Sequence, residues 1–221
     1  MIAKVNEVYQ TKNDIVYNAL KEQILTGDIM PGERITVMQC AEEFGVSAMP
    51  VREALKRLQQ EGLVDIIPHA GAQVVKYDNR HFHEIAEIRN LLEPYAARLA
   101  AGRMSERDFQ ALEEMLAEMQ TCVDNEDNVT YSELNAKFHH YIYDRCGNET
   151  LIDTINSLWE KTRISRNVFL MDRERMVPSL AEHRECLAYL RSGDADAVQK
   201  AWANHKENGF AAVEKGLKRL V

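Results

Sequence analysis

Asn135 and His139 are four residues apart, so a helix would carry both on one face. His183 and His205, 22 positions apart, fall on the last two helical segments, which a short turn would run antiparallel. Imidazoles from three helices, meeting in a bundle core, can bind a divalent transition metal. A plainer account also fits, because a single histidine is more often a surface or satisfied core residue. His140 points about 100° away from His139 on a helix and falls outside the set. Arg89 lies in an Ala- and Leu-rich helix four residues before Glu93, the spacing of an i,i+4 ion pair. Arg163 and Arg166, which follow Trp159, are weaker cationic candidates that a solvent-facing helix explains equally well.

A second group lies upstream. Ser47, Met49 and Arg52 would occupy the leading turn of one helix, with Lys56 a turn behind Arg52 and Arg57 at the edge. Such a helix can enter a DNA groove, although a solvated helix face would carry the same charges. Charge is no guide: residues 1–78 hold eight Lys and Arg against eleven Asp and Glu, a net of −3. Residues 47–61 hold three against two, a net of +1. So weakly basic a reader should need a dimer that engages two half-sites.

The elements that must position these residues divide the chain in two. Val16, Leu20 and Ile24 predict a helix over 14–26, stopped by Gly27 and followed by the turn Met30-Pro31-Gly32-Glu33. A short helix over 37–44 ends at Gly45. Ser47 should cap a helix over 49–61 that turns Val51, Leu55 and Leu58 inward. Runs 63–67 and 72–76, around Pro68-His69-Ala70-Gly71, read as a hairpin. Two helices, a Gly-containing turn and a hairpin describe a winged helix-turn-helix. From 79 onward the pattern is all helical, with segments near 80–102, 105–124, 129–146, 149–170, 178–192 and 194–217, and Pro94 inside the first. The expected fold is mainly α, a winged helix-turn-helix over 1–78 and a six-helix antiparallel bundle over 79–221.

The remaining composition excludes more than it selects. Within 221 residues no apolar run approaches the roughly 18 needed to span a membrane. Residues 1–10 lack an apolar signal core, and Cys40, Cys122, Cys146 and Cys186 form no C-x-x-C pair. A cytoplasmic protein with free thiols is the expectation. A net charge of −8 argues against broad coating of nucleic acid. No histidine has Glu three residues before it, and no phosphate loop, nucleophile elbow or H-E-x-x-H occurs. A bundle metalloenzyme is therefore not expected.

Residues 24–35 (ILTGDIMPGERI), 41–47 (AEEFGVS), 50–58 (PVREALKRL) and 61–64 (EGLV) resemble the GntR family of bacterial transcription regulators. That resemblance implies operator binding by Ser47, Met49, Pro50, Arg52, Lys56, Arg57 and the wing-tip Gly71. Two positions depart from the family, which usually has Arg in the short helix and opens the next with Ser-Arg-Thr-Pro. Here they read Met38 and Ser47-Ala48-Met49-Pro50. Bidentate arginine contacts to guanine are lost, and Met49 offers apolar contact to a thymine methyl instead.

Residues 87–97 (EIRNLLEPYAA), Phe138-His139, Cys146-Gly147-Asn148, Glu182-His183, Gly193-Asp194 and His205 are similar to the FCD sensor domain of the FadR-like branch. The resemblance implies a divalent metal (zinc, nickel, manganese or iron) on Asn135, His139, His183 and His205. Asn in place of the usual Asp leaves the site one charge more positive. It further implies a small organic acid effector held at Arg89; Arg163 is a weaker second candidate by position, and the weakly basic DNA reader makes a homodimer the expected assembly. A purely structural metal without an effector is the alternative.

Overall fold

The structure is a computed structural model and describes residues 11–68, 70–76, 79–162 and 168–218. They fall into two compact units, one extending to Lys76 and the other Tyr77–Lys218. Arg163, Arg166 and His69 lie outside the described residues. No helix among those described is long and apolar enough to cross a membrane.

In the first unit, α1 (Lys12–Thr26) opens on a capping box between Thr11 and Asp14 and stops at Gly27, whose φ is 86°. Helix α2 (Val37–Glu43) is capped by Thr36. Helix α3 (Ala48–Gln60) starts after Ser47, whose side chain makes no cap hydrogen bond. Pro50 is in its first turn, where a backbone N–H would lack a helical partner anyway. Val16, Leu20 and Ile24 of α1 are buried with Val51, Ala54, Leu55 and Leu58 of α3. These two stripes are the core of the unit.

The wing is a three-stranded antiparallel sheet in the order β1-β3-β2, from β1 (Arg34–Ile35), β2 (Val64–Ile67) and β3 (Gly71–Val74). The hairpin lies where its β-branched runs predict. Strand β1 was not expected, because two residues carry no alternation; it exists only through pairing with β3, Ile35 opposite Ala72. Gly71 explains that closeness. Its φ is 108°, and a Cβ there would lie 2.2 Å from the Ile35 carbonyl oxygen.

The second unit is an antiparallel bundle of six long helices: α4 (Asn79–Ala100), α5 (Glu106–Asp124), α6 (Asn128–Tyr143), α7 (Glu149–Lys161), α9 (Met176–Ser192) and α10 (Ala195–Leu217). A single turn, α8 (Val168–Met171), and a 3-10 turn, Arg173–Arg175, precede α9. Packing runs from α4 to α10, to α9, to α5, to α6 and back to α4, with α7 against α4. Helix α4 continues through Pro94. Pro178 lies in the first turn of α9 rather than before it. The helix expected over 149–170 ends at Lys161, because Thr162 is drawn into the interior. Its Oγ1 donates to the Leu158 carbonyl and accepts from Arg89 Nη1 at 2.7 Å.

Replacing Gly71 with Ala should push β1 off β3, through both the forced positive φ and the backbone overlap. The expected loss is about 2 kcal/mol or more for the first unit, read as a lower urea midpoint of its unfolding transition with that of the helical unit unchanged.

Candidate metal centre

Three helices deliver the histidines. Asn135, His139 and Tyr143 are four residues apart on α6. His183 stands ten residues before Gly193 and His205 twelve after it. At 1.5 Å per residue the two therefore reach about the same height on the α9–α10 hairpin. Gly193 is left-handed at φ 73°, and Asp194 caps α10 by accepting from the Ala197 N–H, which makes that hairpin tight. All three imidazoles are buried. His139 Nε2 lies 3.0 Å from His205 Nε2 and 3.2 Å from His183 Nε2.

The outer nitrogens set the tautomers. Tyr143 donates its hydroxyl hydrogen to Glu93 Oε2 at 2.6 Å, so it must accept from His139 Nδ1 at 2.9 Å. His205 Nδ1 donates to Glu182 Oε2 at 2.6 Å. Both Nε2 atoms are thus bare lone pairs facing one another, which repel unless a cation lies between them. Two nitrogens at 2.0–2.1 Å from one ion stand about 2.9 Å apart at a right angle and about 3.3 Å apart at the tetrahedral angle. The observed spacings fall in that range. Asn135 Oδ1 is buried without a hydrogen-bond partner among the described residues and lines the adjoining cavity with His139 and His205. The residues present fit a metal: three neutral nitrogens and one orphaned oxygen.

Burial holds all three histidines below the ordinary 6.5, His139 and His183 well below it with neighbouring positive groups adding to the effect, and His205 less so because Glu182 pulls it back up. Neutral imidazole is the ligand form.

Charged groups form the wall beside the triad. Glu93 is 0% exposed and Arg89 1%. Glu93 accepts from Arg89 Nε at 2.6 Å, Lys206 Nζ at 2.7 Å and Trp159 Nε1 at 3.1 Å, besides Tyr143. Burial would raise its pKa, but Arg89 and Lys206 outweigh it and hold the value at about 2. Burial, then Arg89, brings Lys206 down to about 8 against the pull of Glu93. The Arg89–Glu93 pair thus exists but lies inside the bundle, and Arg89 also lines the cavity. Glu182, held low by His205 and Arg175 against its own burial, pairs with Arg175. Sequence spacing missed Tyr143, Lys206, Glu182 and Arg175 as members of the site. Tyr143 carried a signal, four residues after His139 on the same face; Arg175 carried none.

In the first unit Met49, Arg52, Lys56 and Gly71 line one concavity between α3 and the hairpin, and Met49 is 64% exposed. Ser47, Arg52 and Lys56 are exposed and Pro50 half-buried. Arg57 is engaged elsewhere, donating to Asp14 Oδ1 at 2.8 Å and lying 3.7 Å from the centre of the Tyr17 ring.

With this geometry, residues 12–74 match the model for bacterial regulatory proteins of the gntR family, and residues 84–208 match the FCD domain. The chain is a GntR-family regulator with an FCD domain. It is 30% identical over 200 residues to the HTH-type transcriptional regulator McbR of Escherichia coli strain K12, covering 89% of this chain and 90% of that one. To the regulator YdhC of Bacillus subtilis strain 168 it is 29% identical over 185 residues, 83% of each. The solved structure of E. coli McbR/YncC superposes with a TM-score of 0.64 at 26% identity, over 93% of this chain and 98% of that one. As a GntR regulator it binds operator DNA, and its relatives are named as transcriptional regulators, not enzymes.

Tyr143→Phe should leave one metal per chain but weaken its binding by about 10–100-fold, since His139 loses the acceptor that holds its tautomer; competition with a chromogenic chelator measures this. In chelator-stripped protein, unfolding should take up protons below about pH 6.5, because the exposed histidines then titrate and the buried ones do not. Stability is fully present above that pH and falls as pH drops, so the thermal midpoint should be lower at pH 5.5 than at 7.5.

Proposed function

We propose that this GntR regulator is a metabolite-responsive homodimer that senses a small carboxylic acid at a divalent metal held by Asn135, His139, His183 and His205. The observation that carries the reading is the convergence of bare Nε2 atoms and the orphaned Asn135 oxygen on a cavity that Arg89 and Lys206 also line. Zinc, nickel, manganese and iron all suit three imidazoles and an amide oxygen. When bound, the ion supplies a Lewis-acidic position for a carboxylate oxygen. Arg89 adds positive charge in a low-dielectric wall, and Glu93 and Thr162 hold its guanidinium in place. Because Asn135 contributes no charge, the site favours an anionic ligand more than a carboxylate-containing set would.

An exposed apolar stripe on α4, Ile88, Leu91 and Tyr95, supports dimerisation. At 73% exposure Leu91 is the centre of a face opposite to the one bearing Arg89 and Glu93. In the first unit Ser47, Met49, Arg52 and Lys56 are the proposed operator contacts. Pro50 shapes the first turn, Gly71 lets the wing close, and Arg57, paired with Asp14, holds the helix against α1 rather than meeting DNA. The cytoplasm is the proposed location, where DNA and metabolites meet.

The test uses metal-loaded protein and labelled duplex from upstream of its own gene, followed by fluorescence anisotropy at fixed salt. A small hydroxy or keto acid should shift DNA affinity, and DNA should shift acid affinity by the same factor. His183→Ala should lose metal and the acid response together while still binding DNA. Arg52→Ala should lose specific binding by about 1–3 kcal/mol per half-site, with the helical unit intact. Full metal content and an unchanged acid response in His183→Ala would place the sensor elsewhere. Metal without any acid response would make the ion structural.

A further inference from the structure

Arg175 closes the 3-10 turn that leads into α9, and it is 8% exposed. One of its nitrogens, Nη2, donates to Glu182 Oε2, the same oxygen that accepts from His205 Nδ1. The other two, Nε and Nη1, are buried and have no hydrogen-bond partner among the described residues. Arginine stays protonated inside proteins, so each of those nitrogens keeps a donor that water no longer satisfies. Such a guanidinium has two donors to offer an anion, and its side chain lines the cavity of Asn135, His139 and His205.

The charges around the cavity set which anion fits. Arg89, Arg175 and Lys206 bring three positive charges to the cavity, and Glu93 and Glu182 bring two negative ones. A divalent ion on the histidines raises the net to three positive. A monocarboxylate would leave two of these uncompensated in the bundle interior and a dicarboxylate only one, which matters where unpaired charge is costly. Size sets the upper bound. The cavity is about 50 Å³, room for on the order of four waters, whose liquid volume of about 120 Å³ is close to that of a three- or four-carbon diacid.

We infer that Arg175 anchors a second acidic group of the effector, and that the cavity selects a short dicarboxylate over a monocarboxylate of equal length. This rests on the proposed metal-centred acid sensor and adds the ligand class to it. One carboxylate engages the metal side beside Arg89, and the other accepts from Nε and Nη1 of Arg175. Arg175 therefore acts as a specificity residue, coupled through Glu182 to His205.

Isothermal titration of the metal-loaded full chain decides it, with malonate, succinate and malate against propionate, butyrate and lactate. The dicarboxylates should bind on the order of tenfold or more tighter, the scale of a charge-assisted pair. Arg175→Gln should erase that preference at unchanged metal content and unchanged far-ultraviolet dichroism, and Arg175→Lys, which keeps the charge without the planar fork, should restore only part of it. Equal affinity for succinate and butyrate, both of four carbons, in the parent protein overturns the assignment and leaves the sensor standing, and this comparison needs no variant to fold. A proportional loss of both acid classes in Arg175→Gln also overturns it, since the residue would then act only through general charge. If no acid of either class binds, the assignment falls together with the sensor.

Discussion

Glu93 is an ionised carboxylate with none of its surface in water, and the second unit is organised around keeping it that way. Four donors from four positions reach it: Arg89 one turn earlier on α4, Tyr143 from α6, Trp159 from α7 and Lys206 from α10. Stripping one partner from a buried charge costs about 3–5 kcal/mol. The four helices are therefore tied at one level of the bundle. The cations bear an equivalent demand. Arg89 lies 4.5 Å from the Trp159 ring centre and Lys206 4.8 Å from that of Phe210, so aromatic faces take part of the charge that Glu93 does not.

The candidate metal centre, the histidine triad, is built on that knot. Glu93 orients Tyr143, and Tyr143 in turn accepts from His139 and from Trp202 Nε1 at 3.0 Å. The carboxylate that balances two cations thus also determines which nitrogen of His139 is bare. Glu182 does the same for His205 while pairing with Arg175. The buried Glu93 serves two cations and, through Tyr143, a histidine; the half-buried Glu182 serves one cation and one histidine directly. Charge balance in the wall and ligand tautomer in the triad are one network, and an anion entering the cavity would act on both. Such shared partners give a sensor a physical route from ligand to helix packing.

The first unit shows a different economy. Its recognition helix is pinned from behind by Arg57, which links Asp14 and Tyr17 of α1, while Arg52 and Lys56 are left exposed on the other side. Three basic residues close in sequence have two surroundings, one packed against α1 and two exposed, decided by the face each occupies. Gly71 likewise serves the sheet as much as any DNA contact, because only a residue without a Cβ admits β1 beside it.

Hydrophobic periodicity, glycine stops and proline turns were enough to place the helices of both units and the hairpin, because these signals are local and repeat within one element. The clustering of His139, His183 and His205 was legible for the same reason: a position on one face of α6, and near-equal distances either side of the Gly193-Asp194 turn. Strand β1 was not, since two residues acquire strand geometry only from a neighbour nearly forty positions away in strand β3, nor was the early end of α7, where Thr162 answers to Arg89. Arg175, Lys206 and Glu182 share no helix face with His139, and spacing along a chain says nothing about groups that meet across a bundle. Sequence also could not tell a surface Arg89–Glu93 pair from a buried one, as the i,i+4 distance is the same in both. Burial decides that, and burial is a property of the packed helices alone.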